Sequence, residues 1–239
     1  MVSGFGNDGS MRHLALRLQS GMARAIKKIG YHTPGQRLLF HQYDYMFSPG
    51  QLGFLCECLL GTNELSGPVV EIGCAGGSTT VYLNKYLDEI GSSRRYICVD
   101  TFSGFTSADI DVERERGKIA PYELVFKAYS KPYMLRTLQN NGVTRPEVYE
   151  ADVNDFDFAL LGRPSMCLVD VDLFRPVKHS LESLLPRMAP GGLIVVDDCE
   201  PDSDYDGALQ AYLESTTAHG IEPDVRHGKL GVIEVSGAL

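Results

Sequence analysis

The sequence has no apolar run near the ~20 residues that a membrane-spanning helix needs, which argues against a transmembrane protein. Its start shows no compact apolar stretch leading to a small-residue cleavage site, so no secretory signal is read there. A surplus of positive charge is also missing. The formal net charge is −9, which argues against general nucleic-acid binding. Zinc-type cysteine spacing is absent: Cys56 and Cys58 stand too close together, and no matching Cys/His pair follows. With Cys74, Cys98, Cys167 and Cys199 they read as reduced, buried thiols of a cytoplasmic protein. There are no internal repeats and no low-complexity tract. What is there is a chain of 239 residues, 44% apolar, enough for one large domain or one domain with an appendage.

The charge is unevenly placed. Residues 1–40 carry +5 and the remainder −14. Arg12, Arg17, Arg24, Lys27 and Lys28 alternate with apolar residues in a stretch that predicts an amphipathic helix over 11–29. Such a helix is a solvated or subunit-contacting arm, which favours a homodimer over contact with an anionic membrane surface. A second helix is expected to start at Ser48-Pro49-Gly50-Gln51. There Ser48 suits the N-cap, Pro49 the first turn, and Gln51 completes a capping box. Residues 1–61 thus read as an N-terminal helical extension.

From residue 62 onward, strand and helix patterns alternate. Apolar runs at 69–73, 96–100, 147–149, 166–171 and 193–197 read as strands. Helices are expected over 78–90, 131–141, 176–188 and 206–218, and a terminal hairpin over 221–226 and 230–235. Uniformly apolar strands separated by helices imply a mostly parallel sheet with helices on both faces. The expected fold is α/β, Rossmann-like and doubly wound, with the hairpin adding antiparallel strands.

The first unit runs strand, glycine loop, helix: Glu71-Ile72-Gly73-Cys74-Ala75-Gly76-Gly77-Ser78-Thr79. Glycines let the backbone approach a ligand, and a helix N-terminus offers free N–H groups. The spacing is neither G-x-G-x-x-G nor G-x-x-x-x-G-K-[ST]. Asp100 closes the second strand, where an acid accepts from ribose hydroxyls or caps a turn. Together these features favour a nucleoside ligand.

EIGCAGGST, YICVDTF and EADVNDF resemble the first three motifs of class I S-adenosylmethionine-dependent methyltransferases, a resemblance spanning about residues 66–236 and defining a methyltransferase domain over 62–239. It implies a seven-stranded sheet and S-adenosylmethionine bound across the strand ends. Glu71, Gly73, Ser78 and Thr79 would line the methionine end and Asp100 the ribose. Asp152 would meet the adenine amino group, with Phe102 and Val153 beside the ring. Ala75, Gly77, Thr101 and Asp170 complete the expected cofactor contacts. For Asp152 a loop cap is the alternative.

Further on, strand four ends Val169-Asp170-Val171-Asp172 and strand five ends Val196-Asp197-Asp198. Both should deliver their acids to one crevice, where open α/β sheets bind ligands. If strand four continues, Asp170 and Asp172 share a side. Converging carboxylates repel one another unless a cation intervenes, and oxygen-only donors suit Mg²⁺ or Mn²⁺. The pattern DVDLF…PRMAPGGLIVVDDC resembles the macrocin O-methyltransferase family, which methylates sugar hydroxyls. That resemblance implies Asp170, Asp197 and Asp198 as metal ligands, Asp172 as base, and a small-molecule or oligosaccharide acceptor. Phe174 and Cys199 depart from the family's aromatic positions.

A catechol-type enzyme would carry an Asp-Asn pair and a Lys at position 173, where this chain has Asp198 and Leu173. A non-catalytic cofactor-binding module would not need four acids. His179 reads as a helix surface residue and His227 as part of a turn. His41, in HQYDY, is left open between acceptor pocket and loop. The stretch 103–130 reads as either a lid or a solvated helix.

Overall fold

The computed structural model describes residues 45–235, together with the single positions Met22, Ala25 and Ile29, which are helical and exposed. The rest of the expected helix over 11–29, its dimer role, and His41 lie outside the described residues. The chain divides into two compact units, Met1–Asp44 and Tyr45–Leu239. The second unit thus begins before the second helix. Helix α1 (Pro49–Gly61) buries Leu52, Phe54, Leu55, Cys58 and Leu59 in the core of the second unit. Each such side chain, fully buried, contributes about 1.5–3 kcal/mol. The capping box read at Ser48 and Gln51 is formed.

Seven strands make one sheet in the order β3-β2-β1-β4-β5-β7-β6. The strands are β1 (Val69–Ile72), β2 (Tyr96–Asp100), β3 (Pro146–Glu150), β4 (Met166–Val169), β5 (Leu193–Val196), β6 (Asp224–Arg226) and β7 (Leu230–Glu234). The first five pair in parallel, and β7 is antiparallel to both β5 and β6. The fold is α/β and Rossmann-like, as expected, with β7 inserted between β5 and the edge strand β6.

Alternate residues of each strand feed two cores. Val69, Tyr96, Cys98, Met166, Leu168 and Val195 pack with α1, α2 (Ser78–Glu89) and α4 (Lys131–Asn140) on one face. Val70, Ile72, Ile97, Val99, Cys167 and Val169 pack with α5 (Phe174–Leu184) and α6 (Gly207–Ala218) on the other. All six cysteines are free and buried. The patternless stretch 103–130 holds α3 (Ser107–Glu115) and a short 3₁₀ turn, Tyr122–Leu124.

Candidate active site

Two neighbouring groups of residues occupy the carboxyl edge of the sheet. The first lies at the ends of β1, β2 and β3. Gly73 has φ +84°, and a Cβ there would fall 1.7 Å from the Asp170 carbonyl oxygen, so only glycine lets β1 and β4 end side by side. The loop then turns through Ala75 (φ 40°) to Gly77, which starts α2 without a side-chain cap. The first-turn N–H groups, at Ser78 and Thr79, are left for other acceptors.

Asp100 holds this loop. Its Oδ2 accepts from the backbone N–H groups of Cys74 and Ala75, both at 2.8 Å. Its Oδ1 accepts from the N–H of Phe102 at 2.6 Å, and Phe102 sits at φ 50°. Thr101 closes the next turn by donating to the Gly104 carbonyl. Glu71 is 1% exposed. It shares the strand face of Val69 and turns toward α2, where its Oε2 accepts from the hydroxyls of Thr80 and Tyr96, both at 2.7 Å. Burial pushes its pKa up to about 7 despite those donors. Glu71 thus joins α2 to the sheet. Asp152 closes a turn after β3 by accepting from Asn154, and Val153 beside it is buried.

The second group lies at the ends of β4 and β5. Strand β4 stops at Val169, and Asp172 takes φ 60°. The expected strand continuation to Asp172 is therefore replaced by a turn. Asp198 also sits at positive φ, 56°. Two non-glycine residues in this region mark a strained edge. Asp170 and Asp172 are both pushed well above the usual carboxylate range. Burial is the first cause for both, followed by the charge of Asp197 on Asp170 and of Asp198 on Asp172. Asp197 is raised to about 6, by burial and by Asp198.

Among the described residues, one cation bonds the Asp197–Asp198 pair. The Lys229 ammonium donates to Asp197 Oδ2 at 2.7 Å and to Asp198 Oδ1 at 3.0 Å. Burial works to lower the lysine's pKa, but the two carboxylates overcome it and raise it. Asp197 Oδ1 is buried without a partner. Among the described residues, no group of three or more His, Cys, Asp or Glu side chains is placed to hold a metal ion.

The segment 103–130 touches both groups. A Cβ on Gly76 would meet the Tyr129 ring at 2.8 Å. Asp109 and Glu113 on α3 are buried. Asp109 receives Arg175 at 2.8 Å, and Glu113 Oε1 receives the Phe174 N–H at 2.8 Å. Lys118 reaches Asp206 and the Ser203 carbonyl, and the Tyr122 hydroxyl donates to the Asp204 carbonyl. The segment is thus docked through buried charge rather than fully solvated. Tyr205 stacks on Phe105 and Tyr122. Its hydroxyl pKa is raised by burial and then by Asp172 and Asp198, so the charge of the acids reaches it.

The sequence reading missed Lys229. Its signal is the register of β7 on β5. Val196 pairs with Gly231, so two steps further Lys229 comes opposite Asp198.

Residues 70–199, more than half of the chain, match a family model described as a methyltransferase domain. A tetracenomycin-C 4′-O-methyltransferase of Streptomyces olivaceus, acting on an 8-demethyl-8-(2,3-dimethoxy-α-L-rhamnosyl) form, is 24% identical over 176 residues. The match takes in 64% of this chain but only 60% of that relative's length. The solved O-methyltransferase NovP is similar in fold, with a TM-score of 0.68 at 17% identity, over 93% of this chain and 99% of that one. The calicheamicin methyltransferase CalS11 gives 0.65 at 18% identity, over 98% and 99%. With the strand order above and the glycine loop at the end of β1, the chain belongs to the methyltransferase-domain family, in its class I form.

Proposed function

We propose that this protein transfers the methyl group of S-adenosylmethionine to a hydroxyl of a sugar or saccharide-containing acceptor, with Mg²⁺ or Mn²⁺ at the acid cluster. The observation that carries this reading is the placement of four carboxylates at the ends of β4 and β5, beside the glycine loop. The named activities of the relatives, on a rhamnosyl-tetracenomycin and in calicheamicin biosynthesis, support a sugar-bearing acceptor. The buried, reduced cysteines suit a cytoplasmic protein, and no described helix is long and apolar enough to cross a membrane.

The oxygen-only donors are of the kind a hard divalent cation takes, although among the described residues no three of them are placed to hold one. Asp197 Oδ1 is a buried oxygen without a partner, and the acids outnumber the single lysine. Asp170, Asp197 and Asp198 would hold the ion, which when bound orients the acceptor oxygens and eases loss of the hydroxyl proton. In the transfer, the acceptor oxygen attacks the methyl carbon and the carbon–sulfur bond breaks, leaving S-adenosylhomocysteine. Asp172 takes the hydroxyl proton. Asp100 and the loop from Gly73 to Thr79 hold the cofactor in line with the acceptor. Phe102 and Val153 flank the adenine and Asp152 faces its amino group.

The test is methyl transfer from labelled S-adenosylmethionine to a panel of glycosides and catechols, before and after exhaustive dialysis against EDTA. The expected result is transfer to a glycoside, lost on dialysis and restored by Mg²⁺ or Mn²⁺. Full activity after dialysis removes the metal. Transfer to catechols alone removes the sugar.

A further inference from the structure

We propose that Glu113, on α3, is a positioning residue for Asp172: it caps helix α5 from a distant part of the chain and so fixes the turn on which Asp172 sits. This rests on the reading of Asp172 as the base. Helix α5 starts at Phe174, two residues after Asp172, and its N-cap Leu173 offers no side-chain cap. Glu113 supplies the missing acceptor. It is 0% exposed, and its Oε1 takes the Phe174 N–H at 2.8 Å. A carboxylate there also meets the positive end of the helix dipole. Gly207, at the start of α6, keeps the place open: a Cβ there would fall 2.5 Å from Glu113 Oε1 and 2.7 Å from the Phe174 nitrogen. The other carboxylate oxygen, Oε2, faces the Arg116 guanidinium at 3.6 Å.

Three consecutive residues after Asp172 are tied to the same segment. Leu173 is buried in an apolar cluster with Ile110, Ala120 and Tyr122. Phe174 is held by Glu113, and Arg175 pairs with Asp109. Position 173 is thus used for packing, and a polar cap there, the common way to start a helix, would give up that packing. Asp172 itself stands at φ 60°, a sparsely populated region that persists where the surrounding structure holds it. On its C-terminal side it is held by residues 109–122, and Glu113 stands 61 positions before its partner Phe174. Burying a carboxylate is costly, so an acid at this place serves more than the start of one helix.

Two variants of the full chain separate reach from charge. Glu113→Asp keeps the charge but is one methylene short of the Phe174 N–H. Glu113→Gln keeps the reach and an acceptor oxygen without the charge. Rates are measured with labelled S-adenosylmethionine and the member of the panel above that the parent methylates, and S-adenosylhomocysteine affinity reports the intact fold. Glu113→Asp is expected to lower kcat about 10–100-fold with that affinity unchanged, and Glu113→Gln to recover most of the rate. The same changes are then made in Asp172→Asn. If Glu113 acts through Asp172, the loss from Glu113→Asp vanishes there. If Glu113→Asp does not fold, Gly207→Ala, which wedges the Glu113–Phe174 pair apart, takes its place with the same expectations. A parental rate in the variant used, or an equal loss with and without Asp172, overturns the inference and leaves Asp172 as the base. A normal rate in Asp172→Asn alone overturns the base reading and the inference with it, as does a parent that methylates no member of the panel.

Discussion

At the ends of β1 and β2, the protein satisfies its own acids. Asp100 accepts three backbone N–H groups, and Glu71 accepts two buried hydroxyls. At the ends of β4 and β5, Lys229 bonds two of four acids, and among the described residues one carboxylate oxygen is buried with no donor. Both groups rest on the same scaffold, parallel strands ending side by side, so the scaffold does not explain the difference. Buried, unpaired polar atoms cost about 1–3 kcal/mol each, so the second end carries a cost that the first does not. The satisfied end is a cradle held by its own hydrogen bonds. The unsatisfied end gives up stability that the first end keeps.

The sharpest way to break this contrast is Asp172→Asn. Removing one of several mutually repelling, buried acids should leave the melting temperature unchanged or raise it, since asparagine also tolerates positive φ. With Asp172 as the base, the methyl-transfer rate should fall by about 10²–10⁴, with no recovery on adding Mg²⁺. Initial rates against Mg²⁺, alongside thermal melts, check both halves. A loss of stability together with a normal rate would make Asp172 a structural acid like Glu71.

Glu71 gives the next effect, on stability alone. Its folded pKa of about 7 lies above its ordinary 4.5, so the folded state holds this proton more tightly than the unfolded chain. The resulting stability is fully present below about pH 4.5 and is lost as pH rises through 7. Glu71→Gln cannot ionise. The stability of the parent relative to this variant should therefore fall by about 3 kcal/mol between pH 4.5 and 8. Urea unfolding of both proteins at the two pH values measures it. A constant difference would mean that Glu71 stays ionised in its buried pair of hydroxyls.

The two ends also differed in how much of them the sequence showed. Strands appear as apolar runs because both faces of a parallel sheet are covered, and the helix after Ser48 appears in its cap. Gly73 was readable as a close approach, though not that it is the Asp170 carbonyl that approaches. Helix α3 was hidden because two of its three buried residues, Asp109 and Glu113, are acids, so no apolar period marks it. The turn at Asp172 was hidden for a related reason: alternation of acids after an apolar strand suggests continuation, while the backbone there leaves the strand, with Asp172 at positive φ. Lys229 was hidden because its partners lie 31 and 32 positions away in sequence. Only the antiparallel register of β7, set by the whole sheet, brings them together.

The smallest effect tests whether the satisfied end is only a cradle. Asp100 has two readings: it clamps the glycine loop, and it accepts from the cofactor's ribose hydroxyls. Asp100→Ala alone does not separate them. Loss of the clamp loosens the loop, loss of the acceptor weakens a contact, and either lowers cofactor affinity by about 1–3 kcal/mol. A pairwise comparison does separate them. S-adenosylhomocysteine and an analogue lacking both ribose hydroxyls are titrated into the parent and into Asp100→Ala. If Asp100 binds the diol, the parent prefers the natural ligand and the variant loses most of that preference, because the interaction is already gone. If Asp100 is only a clamp, both ligands weaken equally and the preference survives. The geometry favours the first outcome. Each carboxylate oxygen accepts two hydrogen bonds; Oδ2 already has both, whereas Oδ1 receives only the Phe102 N–H. That leaves Oδ1 one open position for a hydroxyl, and the oxygen that holds the loop is not the one offered to the ligand.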